Sequence, residues 1–300
     1  MTTHNRLLER TTSANEGAFS PQDWALFWGI ALIWGASFLL IAIGLESLHP
    51  GAITFGRVGF GAAVLAIVPA ARKPIAREDR RRLVVLSLVW VAIPFTLFPI
   101  AEQYINSAVT GLLNGAMPIF AALVAALFLR EFPRGTQRWG LLTGFTGVVL
   151  ISIPSIGEGS NAAIGVVLVL LATVCYGFAV NIAAPLQRRY GSVAVMSKML
   201  VLATLWTLPY GVWGLTESEY EPGPVLATLV LGVVGTGLAF AIMASLVGRV
   251  GSTRASFTTY LIPFVSLALG VVFLGDEVKA LAIVGVVLVV TGAVLASRTR

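Results

Sequence analysis

Ten apolar runs of about twenty residues follow one another through this chain with little between them, and a run of that length is what an α-helix needs to cross a hydrocarbon core of about 30 Å. Inside lipid every backbone polar group must be satisfied within its own segment or by a closed barrel, so runs of this kind are helices. The runs cover 24–45, 51–70, 83–101, 107–129, 138–154, 163–186, 194–215, 225–247, 254–274 and 279–297. Composition agrees. The chain is 57% hydrophobic and 11% charged, against about 25% charged in an ordinary soluble domain. The expected fold is an all-α integral membrane protein with ten transmembrane helices. The third run carries Pro94 and Pro99, which kink a helix, so its boundaries are the least fixed, together with those between 186 and 198.

The chain spells one stretch twice. Shifting Ser107–Leu150 by 145 positions puts Ser107 on Ser252, Pro118 on Pro263, Phe128-Leu129 on Phe273-Leu274, Glu131 on Asp276, Gly140 on Gly285 and Thr146-Gly147 on Thr291-Gly292. One register over so many punctuating residues marks an internal duplication. Five spans per half is an odd number, so the second copy enters the membrane upside down relative to the first. Such inverted repeats build transporters with a site near the midplane where the repeats meet. The expected organisation is a disordered tail over 1–22, a first five-helix repeat over 23–154, an external linker over 155–161, and a second repeat with a short tail over 162–300.

Of the 20 Lys and Arg residues, all but Lys279 and Arg57 fall on the side that carries both termini. By the positive-inside rule that side is cytoplasmic, which predicts a multi-pass membrane protein with both termini in the cytoplasm. This asymmetry accounts for the net charge of +6 without nucleic acid. The single cysteine, Cys175, excludes an intramolecular disulfide, and the two histidines, His4 and His49, lie in a tail and a turn, so no metal site or cofactor is expected. The expected partners are a small-molecule substrate and membrane lipid; an oligomeric state is not fixed, and a monomer is compatible with the sequence.

Polar residues within the spans locate the candidate site. A proline removes the hydrogen bond to the carbonyl four residues earlier, here that of Asn114 before Pro118 and of Thr259 before Pro263. These positions correspond under the 145-residue shift, so the fourth and ninth spans are expected to present matching polar notches, with Pro118 and Pro263 as hinge or gate elements. The competing reading is that each polar side chain merely caps its own kink. In the sixth span Thr173, Tyr176, Gly177 and Asn181 share a stripe, and in the first span Trp34 and Ser37 share a face. Aromatic walls with a few hydroxyls and amides suit an amphipathic solute, though they also suit ordinary packing.

Arg57 is the one basic residue well inside a span. Charge there is costly and functional by default, so Arg57 either holds a substrate carboxylate or, lying in the outer half, has a structural role in which it reaches the external interface or pairs with Glu46 or Glu102. No Asp or Glu lies in the middle of a run, and proton-driven carriers usually hold their proton on a buried acid. That absence favours a facilitator.

Trp34-Gly35, the run Ala101-Glu102-Gln103-Tyr104, Pro118 with Phe128-Leu129-Arg130-Glu131, and the second-half series Gly251 to Ala255, Tyr260 to Pro263 and Leu274 to Glu277 resemble the EamA family of the drug/metabolite transporter superfamily. The resemblance covers roughly residues 24 to 297. It implies a carrier of two inverted five-helix repeats, and within the family the chain is most similar to bacterial exporters of aromatic and other neutral amino acids. The expected function is export of small neutral amino acids by alternating access, at a site lined by Trp34, Ser37, Asn114, Tyr176, Asn181, Thr259 and Tyr260. Alternatives are a broader or proton-coupled drug and metabolite exporter, a pore without alternation, and a lipid-modifying membrane enzyme, for which no acid, histidine and metal set is found.

Overall fold

The computed structural model describes residues 18–128, 135–157 and 159–297. Most of the expected tail, together with Leu129–Glu131 and the terminal Arg298 and Arg300, lies outside the described residues. Among the described residues the chain is helical, with no strand. The helical segments are α1 (Pro21–Gly44), α2 (Pro50–Ile67), α3 (Arg77–Ala101), α4 (Ser107–Phe128), α5 (Thr136–Gly157), α6 (Ser160–Tyr190), α7 (Ser192–Thr216), α8 (Pro222–Val250), α9 (Arg254–Leu274) and α10 (Ala280–Ser297). Among the described residues, all except α5 and α10 are long and apolar enough to cross a membrane. The expected runs fall within these segments to a few residues, including the uncertain third.

Local chemistry sets the ends. Ser20 and Asp23 form a reciprocal capping box at the start of α1. Pro50 opens α2, and His49 caps it through Nδ1, which accepts from the Gly51 N–H at 3.1 Å. Gly251, at φ 83°, makes the turn out of α8 that an L side chain would strain.

The prolines break helices where the sequence places them. α4 stops at Asn114 and resumes at Met117, beside Pro118. Before Pro263, α9 passes through a tight 3-10 turn, Phe257–Tyr260. Pro94 is absorbed differently. Its missing partner is the Trp90 carbonyl, and Trp90 sits in a π-helical turn over Ser87–Ala92. A second π-helical turn spans Val233–Leu238 of α8, which matches the first, moved by 145, to within one residue. Single π turns of this kind cluster at functional sites.

α5 and α10 pack backbone to backbone. A Cβ added at Gly147 would lie 2.5 Å from the Gly285 carbonyl oxygen, and one at Gly140 would lie 2.6 Å from that of Gly292. Gly140 and Gly147 sit 145 positions before Gly285 and Gly292, so the two contacts exchange under the shift. The first half of α4 lies along the second half of α9, where Ser266 donates to the Ser107 carbonyl at 3.2 Å and Pro263 packs on Gly115.

Apolar side chains form two main clusters. One joins α1, α4, α5, α9 and α10 with the first half of α6; the other joins α2, α7, the first part of α3 and the second half of α6. Among the described residues, Trp34 and Tyr176 alone of the partly buried hydrophobics pack against both. At the basic ends of the helices, Asp79 accepts from Arg189 at 2.9 Å and from Tyr190 at 2.8 Å, and Asp23 pairs with Arg249. At the opposite ends, Asp276 accepts from the Ser107 hydroxyl at 2.8 Å and from the Ala108 N–H at 2.9 Å.

Candidate functional site between the two cores

The junction marked by Trp34 and Tyr176 is built on one face of α3. Phe95, Phe98 and Glu102 follow at i, i+3 and i+7 and therefore point the same way. Phe98 meets Tyr176 of α6, with ring centroids 5.9 Å apart, and Phe38 of α1 at 5.6 Å. Trp34 meets Phe240 of α8 edge to face at 6.0 Å. Aromatic residues of α1, α3, α6 and α8 thus converge where the clusters meet.

Arg57 enters this region from α2. It is 6% exposed, and its guanidinium carbon lies 3.7 Å from the centroid of the Phe95 ring. A desolvated cation over an aromatic face is worth about 2 kcal/mol. Nε donates to Thr236 Oγ1 at 3.1 Å, and that hydroxyl donates onward to the Leu231 carbonyl five residues back, a partner the π turn makes available. No acceptor among the described residues reaches the two terminal nitrogens of Arg57, and no ion pair forms with Glu46 or Glu102. The expected structural ion pair is therefore not what holds this side chain; stacking and one hydroxyl do.

Glu102 follows the last residue of α3. The sequence places it at a span end, where its backbone does lie, but its side chain turns inward, and both carboxylate oxygens are buried with no donor among the described residues reaching them. Burial pushes this carboxyl well above the usual carboxylate range; Asp276 pushes it the same way and Arg57 opposes. The charges of Arg57 and Glu102 act on one another without closing into a pair. Glu102 keeps its expected place at a span end, yet its carboxylate turns inward, because the direction of a side chain at a helix end is set by the packing around it.

The expected lining residues divide. Trp34 and Tyr176 come together at the junction. Asn114 lies at the α4 break, and its side-chain oxygen is buried with no donor among the described residues reaching it. The others are engaged elsewhere. Ser37 donates to the Ile33 carbonyl at 3.2 Å within its own helix. Thr259 is half-buried and donates to the Ser256 carbonyl at 2.7 Å, at the entry to its own 3-10 turn. Asn181 donates to the carbonyls of Ala121 and Gly177, at 3.1 and 2.8 Å, and so ties α6 to α4. Tyr260 donates to the Ala293 carbonyl of α10 at 3.3 Å, away from the junction. Phe95, Phe98, Phe240 and Thr236 were not singled out in the sequence. The spacing of Phe95, Phe98 and Glu102 was a usable signal; the π turn that aims Thr236 has none.

A family profile described as the EamA-like transporter family matches residues 24–153 and 163–298. Among similar proteins is an uncharacterized transporter of Archaeoglobus fulgidus, 24% identical over 93% of this chain and 100% of the relative. Another is a probable terminal-alkyne amino-acid exporter of Streptantibioticus cattleyicolor, 26% identical over 93% of this chain and 94% of the relative. Protein PagO of Salmonella typhimurium is 26% identical over 81% and 82% of the two chains. A solved crystal structure aligns with a TM-score of 0.63 at 18% identity, covering 91% of this chain and 96% of its own, and so shares the fold. The two matched segments together cover most of the chain, and the chain belongs to the EamA-like transporter family, a family of transporters rather than enzymes.

Proposed function

We propose that this protein exports small neutral amino acids, aromatic ones among them, across the bacterial inner membrane by alternating access, with both termini in the cytoplasm. In this reading the chain crosses the bilayer ten times as two inverted five-helix repeats. The matching π turns and the exchanged glycine contacts of α5 and α10 support that symmetry. Pro118 and Pro263 serve as the points where α4 and α9 bend.

One observation carries the substrate reading. A buried guanidinium is fixed over Phe95 by stacking and by a single bond through Nε, which leaves its terminal nitrogens directed for an acceptor the described protein does not supply. Those two nitrogens form the fork that takes a carboxylate in bidentate fashion. Trp34, Phe98 and Tyr176 beside it suit an apolar side chain. The similarity to a probable terminal-alkyne amino-acid exporter points the same way. The test is uptake of labelled phenylalanine, tryptophan, threonine and a sugar into liposomes holding the purified protein. Saturable amino-acid uptake supports the reading; sugar uptake without amino-acid uptake rejects it.

A second reading, proton-coupled exchange, is favoured by the buried Glu102. A substrate-dependent proton flux in the same liposomes selects it over facilitated export.

A further inference from the structure

One acid among the described residues stands apart from the others. Asp23, Asp79 and Asp276 each accept hydrogen bonds from named donors, whereas Glu102 is buried with both oxygens unmatched. A helix end tolerates an exposed acid at no cost, but an inward carboxylate without a donor is destabilising and calls for a cation. Arg57 is not that cation, since no ion pair joins them.

We infer that Glu102 is the subsite for the substrate's ammonium group, so that Arg57 and Glu102 together clamp the zwitterion of a neutral amino acid. This rests on the amino-acid reading above and adds the second charge to it. The geometry fits the span of such a ligand. Phe95, which carries the Arg57 guanidinium, and Glu102 are seven residues apart on one face of α3, a rise of about 10 Å at 1.5 Å per residue. A charge-assisted hydrogen bond of about 2.8 Å at each end, with the short carboxylate-to-ammonium spacing of an α-amino acid between, fills about that distance. Phe98 lies between them along the same face, itself buried against Tyr176, so the stretch between the two charges is aromatic and suits a ligand with an apolar side chain. Holding the two protein charges apart by stacking Arg57 on Phe95 prevents them from neutralising each other. The clamp then closes through the ligand.

The specific consequence is that both charges of the ligand are read. Inhibition of labelled phenylalanine uptake in liposomes is measured with unlabelled phenylalanine, N-acetylphenylalanine, which lacks the ammonium, and phenylethylamine, which lacks the carboxylate. The wild type is expected to prefer phenylalanine over each analogue by at least about tenfold, the worth of one charged hydrogen bond. Glu102→Gln is expected to bring the ratio of phenylalanine to N-acetylphenylalanine close to one and leave discrimination against phenylethylamine in place; Glu102→Asp keeps both. The inference is overturned if the wild type takes N-acetylphenylalanine as well as phenylalanine, a result that needs no variant to fold. It is also overturned if Glu102→Gln changes proton flux and leaves the ratio untouched, which makes Glu102 a proton site alone. Absence of any amino-acid uptake by folded wild type removes the substrate reading itself, and the clamp with it.

Discussion

Replacing Arg57 by methionine separates function from stability in a way that a structural arginine cannot. In the proposed site the terminal nitrogens of Arg57 take a substrate carboxylate, and two such hydrogen bonds at about 1.5–3 kcal/mol each amount to about 3–6 kcal/mol of binding. At about 1.4 kcal/mol per tenfold, amino-acid affinity falls by roughly 10² to 10⁴. Stability responds differently. Methionine forfeits the bond to Thr236, about 1.5–3 kcal/mol, and the stacking on Phe95, about 2 kcal/mol. Against this it removes a charge whose burial in the bilayer costs about 2.5–3.5 kcal/mol, and it covers Phe95 with a flexible thioether chain. The sum lies within about 2 kcal/mol of zero, so the melting temperature in detergent moves by only a few degrees while transport is lost. Arg57→Lys keeps a point charge without the fork and falls between wild type and methionine in affinity. Paired melting and substrate-competition curves on the three proteins decide it. A methionine variant that melts far below wild type, with lysine restoring both stability and transport, would refute the argument and make Arg57 a structural residue.

Three further outcomes follow from the packing. Gly147→Ala puts a Cβ 2.5 Å from the Gly285 carbonyl and should cost about 1–3 kcal/mol, read as a lower melting temperature, whereas Gly29→Ala, with open space around it, should be neutral or slightly stabilising; equal shifts would contradict the described packing of α5 on α10. Asp276→Ala removes the partner of the Ser107 hydroxyl and the Ala108 N–H at the start of α4, and should cost about 0.5–2 kcal/mol in the same assay. Burial and Asp276 raise the proton affinity of Glu102 and Arg57 opposes them, so the empty site binds a proton more readily than an exposed acid does. Substrate ammonium must displace that proton, so amino-acid affinity should rise from acidic to neutral pH in the wild type and stay flat in Glu102→Gln.

Much of the scaffold was legible in the sequence because lipid enforces it. A helix that must cross a bilayer has a length and composition that can be read directly, and the proline at 118 and the glycine turn at 251 act on the backbone of their own segment. The recurrence of Gly140 and Gly147 as Gly285 and Gly292 was equally plain in the sequence, and these glycines meet across α5 and α10. The site was legible only in part. Trp34, Tyr176, Asn114 and Arg57 stood out by type and position. Ser37, Thr259 and Asn181 did too, yet each donates to a backbone carbonyl of its own helix, which a short polar side chain always has within reach, and Tyr260 reaches across to the Ala293 carbonyl of α10. The sequence cannot say which will turn back and which will face a cavity. Nor can it reveal a π turn, which brings Thr236 under Arg57 through backbone register alone. The inward turn of Glu102 had the same origin, because the packing of neighbouring helices decides the direction of a side chain at a span end.

The central claim is a site for a zwitterionic amino acid set between two packed cores, with Arg57 and Glu102 at its ends. Its most direct test is saturable uptake of labelled phenylalanine into liposomes containing the pure protein, measured for wild type, Arg57→Met and Glu102→Gln. The account predicts uptake by wild type that unlabelled neutral amino acids compete away, and sharply weaker uptake by both variants in protein that melts close to wild type. Folded wild type that carries no amino acid, or both variants transporting phenylalanine as wild type does, would contradict it.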